Sequence, residues 1–263
     1  MRIAFWNINS IRARMDRLLA MLERNDIDVL AVQETKVKDE AFPADPIRAA
    51  GYDVAHHGIN QWNGVAILSR VGLEDIQIGF DGMPTWGEPD PVAEARAIGA
   101  TCCGIRVWSL YIPNGREIDH PHYTYKLDWM RALRNNGENW LTNNPHAQIL
   151  LTGDWNVAPT DEDVWDMSFF EGKTHVTAPE REAFQAMIDT GFTDVVRPHT
   201  PGPGVYTYWD YTSLRFPKRQ GMRIDFGLAS PALANRVTHA YIDRDERKGK
   251  GASDHAPVII ELT

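Results

Sequence analysis

Short apolar runs rich in β-branched residues recur along the chain, and this feature restricts its fold more than any other. Runs of this kind, bounded by polar or turn residues, predict buried strands. We predict strands over residues 3–8, 29–32, 65–68, 105–112, 149–151, 224–228 and 258–262.

Helical spacing is clearest between Ser10 and Asn25, where Ser10 is placed to cap a helix whose apolar side chains are Ile11, Met15, Leu18, Leu19 and Leu22. Weaker helical patterns cover residues 123–141 and 179–190. Strands and helices alternate, but several neighbouring strands are joined too tightly for crossover helices. We therefore expect an α/β fold with a mixed sheet or two packed sheets.

The length of 263 residues and the hydrophobic content of 43% allow one large domain or two small ones without stabilising cross-links. No proline-rich or serine-rich linker, low-complexity stretch or internal repeat divides the chain. We therefore expect one domain over residues 1–263.

Two adjacent cysteines, Cys102 and Cys103, lie in an apolar run, where a disulfide between neighbours would be strained and would close almost no loop. The first ten residues turn polar by Asn7, unlike a signal peptide, and no apolar run reaches transmembrane length. These features predict a cytoplasmic protein that does not bind membranes.

The formal net charge of −9 argues against a generic nucleic-acid binder, because such domains usually carry a basic surplus. Three local basic clusters oppose this average. Each cluster is either a solvated loop or a contact for an anionic partner. The first cluster is Arg12, Arg14 and Arg17. The second is Arg215, Lys218, Arg219 and Arg223, and the third is Arg244, Arg247, Lys248 and Lys250.

Polar side chains follow several predicted strands at the point where each apolar run stops. Polar groups at strand ends can converge on one rim of a sheet, where α/β folds build their sites. Asp154 and Asn156 could alternatively form a simple turn, and His255 alone could be structural. The set as a whole suggests a site; it comprises Asn7, Glu34, Asn114, Asp154, Asn156, Asp225, Asp254 and His255, with Tyr111 close by.

This set offers hard oxygens, one imidazole and neutral hydrogen-bond donors, which suit a hard divalent cation. No His/Cys grouping has zinc spacing, so zinc is disfavoured. Magnesium keeps several waters and takes one or two protein carboxylates, completing its shell with substrate phosphate. Phosphodiester hydrolysis also needs a positioned water, a general base and donors around the developing charge, all of which the set can supply.

Eight motifs along the chain resemble the exodeoxyribonuclease III group of apurinic/apyrimidinic (AP) endonucleases, within the endonuclease/exonuclease/phosphatase superfamily that includes DNase I. They occur in family order from end to end, at residues 5–13, 32–36, 64–70, 110–115, 152–156, 206–211, 223–225 and 253–257. The resemblance implies a four-layered α/β sandwich of two mixed sheets flanked by helices, the DNase I-like fold. It also implies a Mg²⁺-dependent cut 5′ to abasic sites, with Mn²⁺ as a substitute ion, and 3′-to-5′ exonuclease and 3′-phosphatase activity.

The resemblance also assigns roles to the site residues. It implies Glu34 as the principal metal ligand, with oxygens nearby from Asn9, Asp254, Asn7, Asp154 and Asn156. Asp154 would orient or deprotonate the attacking water, with Asn7 and Asn156 holding it. His255, paired with Asp225, would stabilise charge on the phosphate, and Tyr111 and Asn114 would complete the phosphate cradle. Asn9 is a departure, because mammalian-type relatives carry aspartate there, which lowers the charge around the metal.

The expected partner is double-stranded DNA with abasic sites or blocked 3′ ends, bound by a monomer. Tyr208 and Trp209 resemble the aromatic pair that lines the abasic-sugar pocket of the family. The residues expected to contact DNA are Arg12, Lys36, Trp62, Arg215 and Arg223, although Trp62 stands where some relatives use tyrosine. Two alternatives remain open: a phosphoesterase of the same superfamily with a non-DNA substrate, and a non-catalytic nucleic-acid-binding regulator.

Overall fold

The structure, a computed structural model, describes the whole chain from Met1 to Thr263 and contains twelve strands and six α-helices. The strands are β1 (Arg2–Asn7), β2 (Val29–Gln33), β3 (Asp53–His57), β4 (Val65–Ser69), β5 (Glu74–Ile78), β6 (Ala97–Cys102), β7 (Ile105–Tyr111), β8 (Ile149–Asp154), β9 (Thr193–Asp194), β10 (Asp225–Ala229), β11 (Val237–Ile242) and β12 (Val258–Leu262). The α-helices are α1 (Met15–Arg24), α2 (Ala44–Ala49), α3 (Pro121–Asn143), α4 (Met167–Phe170), α5 (Ala178–Asp189) and α6 (Pro231–Ala234).

The strands form two six-stranded mixed sheets, in the orders β11-β12-β1-β2-β4-β3 and β5-β6-β7-β8-β10-β9. Each sheet has one parallel pair at its centre, β1 with β2 and β7 with β8, and its other pairs are antiparallel. The carboxyl ends of each parallel pair lie side by side at the middle of one rim of the sheet, where side chains from neighbouring strands can meet. The prediction of two packed mixed sheets is confirmed.

Three apolar clusters separate the layers of the molecule. The central cluster lies between the sheets and joins Ile3 and Phe5 of one to Val107 and Leu150 of the other. A second packs α3 and α5 on the outer face of the β7–β8 sheet, and a third packs α1 and α2 on the outer face of the β1–β2 sheet. The order of layers is therefore helix, sheet, sheet, helix, as the resemblance implied.

All seven predicted strands are present, with ends shifted by a few residues, whereas β3, β5, β6, β9 and β11 were not predicted. The missed strands lack an uninterrupted apolar run. Every residue of β5 is exposed, β9 has two residues, and β3 carries His56 and His57. Pairing with a neighbouring strand, rather than local pattern, specifies such elements.

The predicted role of Ser10 as a helix cap is wrong. A 3₁₀ turn at Arg12–Arg14 precedes α1, and no side chain caps either element. Ser10 adopts a φ of 88°, and its main-chain N–H donates to the main-chain oxygen of Glu34 over 2.8 Å. The Ser10 backbone is therefore held against the end of β2 instead of at a helix start.

The helices predicted at residues 123–141 and 179–190 correspond to α3 and α5. The α5 helix begins with a capping box, in which the Thr177 hydroxyl accepts from the Glu180 N–H and the Glu180 side chain accepts from the Thr177 N–H. Although α3 is the longest helix, neither it nor any other is long and apolar enough to cross a membrane.

Candidate active site

The predicted site residues meet at one rim of the two sheets, where the central strands end. Asn7 is the last residue of β1 and Glu34 follows β2, while Tyr111 and Asp154 pair at the ends of β7 and β8. Asp225 begins β10 directly opposite Asp154. The strand registers therefore bring residues far apart in the sequence into one cleft.

The Asn7 side chain links the two sheets within this cleft. Its Nδ2 donates to Glu34 Oε1 over 2.8 Å and to Asp154 Oδ2 over 2.9 Å. The same amide group therefore orients two carboxylates of different sheets, and the Oδ1 atom accepts from the Asn9 main-chain N–H over 3.1 Å. Asn7 is completely buried, so water does not compete for these bonds.

Asp154 is a buried carboxylate that accepts hydrogen bonds on both of its oxygens. Its Oδ1 accepts from the Asn156 main-chain N–H over 2.9 Å, and its Oδ2 lies 3.7 Å from His255 Nε2. Burial raises the pKa of Asp154 to about 7, against the opposing attraction of His255. A carboxylate with a pKa near neutrality can accept a proton under physiological conditions.

His255 is held between two aspartates. Its Nδ1 lies 2.8 Å from Asp225 Oδ2, and its other ring nitrogen faces Asp154. Burial lowers the pKa of His255, but the attraction of Asp225 and then of Asp154 outweighs it and raises that pKa to about 10. His255 is therefore a charged donor at neutral pH. Ligand atoms of this His and the two aspartates lie mutually within 4.8 Å, but a charged imidazole has no free lone pair for a metal ion, so His255 serves as a donor here.

Oxygens from Glu34, Asn9 and Asp254 lie at the mouth of the cleft. The Lys36 ammonium contacts Glu34 Oε2 over 2.8 Å and Asn9 Oδ1 over 2.6 Å, and Asn9 Nδ2 donates to Asp254 Oδ1 over 3.0 Å. The Lys36 ammonium therefore contacts two of the oxygens that are expected to bind the metal. Burial raises the pKa of Glu34, but Lys36 and the hydrogen bond from Asn7 outweigh it, so the carboxylate is ionised. These residues fit a hard divalent cation.

Asn156 supports the site through its backbone more than through its side chain. Its Nδ2 donates to the Ile112 main-chain oxygen over 2.9 Å, and its Oδ1 lies 3.0 Å from His175 Nε2. Burial lowers the pKa of His175 to about 4, so the ring is neutral and its Nε2–H donates to Asn156. Sequence reasoning missed His175, which no motif marks.

Tyr111 is the last residue of β7, and Asn114 lies on the segment that follows this strand. Tyr111 is buried, with the Arg96 guanidinium 4.7 Å from its ring centroid, while Asn114 is exposed. Burial and then the negative charge of Glu34 raise the pKa of Tyr111 well above its usual value. The phenol is therefore a neutral hydrogen-bond donor next to the acidic cluster.

An aromatic pocket of about 150 Å³ lies beside the acidic cluster. Its lining includes Tyr208 and three aromatic side chains that the sequence analysis did not single out, Trp165, Phe169 and Phe170. The Tyr208 ring centroid lies 4.9 Å from that of His255, which connects the pocket to the site. These three aromatics lie within residues 165–170, and this local concentration of aromatic side chains could have indicated an apolar pocket.

Trp209 does not line this pocket, contrary to expectation. It is 1% exposed and packs with Tyr206, Phe216 and Ala256 in a separate apolar cluster. Neighbouring side chains of an extended segment point to opposite faces, so when Tyr208 faces the pocket Trp209 must face the core.

Arg223 was expected to contact DNA but is enclosed in an ion pair. Its Nε donates to Asp163 Oδ1 over 2.7 Å and its Nη1 to Asp194 Oδ2 over 2.6 Å, and the residue is 4% exposed. Arg215 instead lines the aromatic pocket and stacks over the rings of Trp165 and Phe169, at 4.9 and 4.4 Å from their centroids. Of these two arginines, only Arg215 can reach a ligand.

The remaining expected DNA contacts, Arg12, Lys36 and Trp62, line a second depression of about 440 Å³ at the other side of the cleft. Trp62 is 69% exposed, which is unusual for a tryptophan in a protein without a partner. Arg12 is also exposed and donates to the Ala41 main-chain oxygen over 2.8 Å. An exposed aromatic ring among cations suits a nucleic-acid contact.

Comparisons with known proteins agree with this architecture. Residues 4–255 match the family described as "Endonuclease/Exonuclease/phosphatase family". Exodeoxyribonuclease III of Haemophilus influenzae is 33% identical, with 100% of both chains covered. The 3′ phosphatase NExo from Neisseria, solved bound to a product DNA hairpin, is 36% identical with a TM-score of 0.92, covering 100% of this chain and 99% of that one. An AP endonuclease from Archaeoglobus fulgidus is 34% identical with a TM-score of 0.91 and the same coverage. The chain thus belongs to the endonuclease/exonuclease/phosphatase family.

Proposed function

We propose that this chain is a metal-dependent DNA repair phosphodiesterase of the exodeoxyribonuclease III type. It cleaves 5′ to abasic sites and also acts at 3′ ends as a 3′-to-5′ exonuclease and a 3′-phosphatase. The observation that carries this proposal is the arrangement around Asp154, which shares the Asn7 amide with Glu34 and faces the charged His255. The names of the relatives, which include both an AP endonuclease and a 3′ phosphatase, support the choice of reactions.

Asp154 would orient the attacking water and accept its proton, because its pKa lies near neutrality. His255, kept protonated by Asp225, would donate a hydrogen bond to a phosphate oxygen and stabilise the charge that develops there. Tyr111 and Asn114 would donate to the same phosphate. Hydrolysis would leave a 3′-hydroxyl and, at an abasic site, a 5′-deoxyribose phosphate.

Mg²⁺ would be held by Glu34, with Asn9 and Asp254 nearby, and Mn²⁺ is expected to substitute for it. Such an ion supplies charge neutralisation on the phosphate when it is bound. The buried oxygens of Asn7, Asp154 and Asn156 already have hydrogen-bond partners within the protein. Of these three, Asn7 contacts Glu34 directly and would fix the position of that carboxylate, while Asn156 would fix Asp154 through its main-chain N–H.

The substrate is proposed to be double-stranded DNA with an abasic site or a blocked 3′ end. An abasic sugar leaves the duplex at low cost because its base is already missing, and the pocket at Tyr208 offers an apolar surface for it. Arg12, Lys36 and Trp62 would contact the backbone on the other side of the cleft. We further propose that residues 1–263 act as one domain, as a monomer, in the cytoplasm.

The test uses three end-labelled duplexes: one with a single synthetic abasic site, one with a 3′-phosphate and one with an unmodified recessed 3′ end. Each is incubated with the purified protein and either Mg²⁺ or a chelator, and the product ends are identified. We expect Mg²⁺-dependent products, including a 3′-hydroxyl from the abasic duplex. Absence of metal-dependent hydrolysis on all three duplexes would contradict the proposal.

A further inference from the structure

Lys126 is a fully buried cation on α3 that the proposed chemistry does not use. Its Nζ donates to the Asn156 main-chain oxygen over 2.6 Å, to Glu180 Oε1 and, at 3.4 Å, to the Asn114 main-chain oxygen. An ammonium group has three donors, so all of them are directed at oxygens. Two of these oxygens belong to the main chains of Asn114 and Asn156, which are both predicted site residues.

Glu180 restrains this ammonium from the far side. Its Oε1 accepts from Lys126, while its Oε2 accepts from the Thr177 main-chain N–H over 3.1 Å and from the Thr177 hydroxyl over 2.7 Å. The same carboxylate therefore caps α5 and pairs with Lys126, and neither partner is exposed to water. The ion pair joins the outer helices to the rim of the sheet.

The Asn156 main chain has an unusual conformation that needs such support. Its φ of 51° lies in the left-handed region, which costs energy for a residue with a side chain and persists where surrounding contacts hold it. The Asn156 N–H donates to Asp154 Oδ1, and the Asn156 oxygen accepts from Lys126. The two contacts hold opposite ends of the residue that orients the Asp154 carboxylate.

We propose that Lys126, with Glu180 as its counter-ion, is a positioning residue that holds the Asn156 main chain and thereby the orientation of Asp154. Stability alone does not account for the pair, because apolar replacements of buried ion pairs are often neutral or stabilising. The kinetic part of the test rests on the proposed function, whereas the amide-exchange part does not.

The first variant is Lys126→Met, which removes the charge and keeps a chain of similar length. We expect kcat on the preferred DNA duplex to fall about 10- to 100-fold while KM changes less than about threefold, since small misplacement of a reacting group affects turnover. Hydrogen exchange at the Asn156 amide should accelerate relative to amides in the middle of α3. An unchanged kcat together with unchanged exchange at Asn156 would overturn the proposal.

Two further variants separate positioning from general loss of stability. The double variant Lys126→Met/Glu180→Gln removes the uncompensated carboxylate, so we expect its melting temperature to recover while kcat stays low. Leu133→Ala leaves a cavity under the same helix without touching Asn156, and we expect it to lower the melting temperature with kcat unchanged. Full recovery of kcat in the double variant, or an equal loss of kcat in Leu133→Ala, would refute a positioning role. If wild-type protein hydrolyses no DNA, the proposed function fails while the Asn156 exchange result still decides this inference.

Discussion

Asp154 combines complete burial with a hydrogen bond from the Asn7 amide, a hydrogen bond from the Asn156 backbone and a charged histidine 3.7 Å away. The Asn7 amide and the Asn156 N–H donate to both of its oxygens and fix the plane of the carboxylate. Such fixed geometry is what a general base requires, because proton transfer depends on distance and alignment.

Asp154→Asn keeps the size of the side chain but removes its ability to accept a proton. We expect kcat to fall about 10³-fold while DNA remains bound, within the range typical of a lost general base. Single-turnover cleavage and an equilibrium binding measurement on the same duplex check this. Asp161→Asn is the matched control, because Asp161 is an exposed carboxylate paired with Arg181 away from the cluster. Turnover in Asp154→Asn within tenfold of wild type would remove Asp154 from the role of base.

Single residues differ in how well their sequence context predicts their place. Asn7, Glu34 and Asp154 were predicted where apolar runs stop, and each lies in the cleft, because a local change of polarity marks the end of a strand. Arg223 and Trp209 were predicted in the binding surface but are buried. Arg223 is buried by its pairing with Asp163 and Asp194, and Trp209 by its packing against Phe216. No local sequence pattern indicates these partners.

At the scale of elements, two basic segments that look alike in sequence have different structural roles. Arg12 lies exposed on the 3₁₀ turn that precedes α1, next to Trp62 and Lys36. Arg223 precedes β10 and joins that strand to Asp163 and Asp194 through buried hydrogen bonds. One arginine is available to a polyanion, and the other stabilises the packing of the segments around it.

The salt dependence of DNA binding should separate these two roles. For Arg12→Ala we expect the slope of log Kd against log salt concentration to become shallower by about one, because one phosphate contact is lost. For Arg223→Gln we expect an unchanged slope but a loss of about 3 kcal/mol in the free energy of unfolding, because Asp194 loses its ion-pair partner and the buried Asp163 keeps only Arg197. Denaturant titration and binding isotherms at several salt concentrations measure both. A shallower slope for Arg223→Gln would restore its predicted contact with DNA.

At the scale of the whole molecule, the fold buries a neutral histidine outside the cleft. The His122 ring packs against Trp86 and Tyr125, with ring centroids 4.8 and 5.4 Å away. Burial, with the nearby positive charges of Arg96 and Arg116, lowers the pKa of His122 to about 4. Protonation of this ring therefore opposes folding.

This pKa shift predicts acid sensitivity with a definite sign. Between pH 6.5 and about 4 the unfolded chain binds a proton at His122 that the folded chain does not, so the free energy of unfolding falls as pH falls through this window. With allowance for screening by water, we expect His122→Phe to reduce the loss between pH 7 and pH 5 by about 1 kcal/mol. Urea titrations at pH 7 and pH 5 measure it, and exposed His146→Gln is the control. An equal acid loss in wild type and His122→Phe would contradict the assignment.

The local pattern of apolar and polar side chains was enough to predict the central strands, the main helices and the polar residues at the strand ends. The pairing of the edge strands, the burial of Trp209 and Arg223, and the contacts of Lys126 and His175 with Asn156 could be seen only in the folded chain. These outcomes depend on segments distant in sequence, such as α3, α5 and the loop before α5, packing against the same strand end. A local pattern can indicate that a side chain will be buried or polar, but its partners are set by the packing of the whole chain.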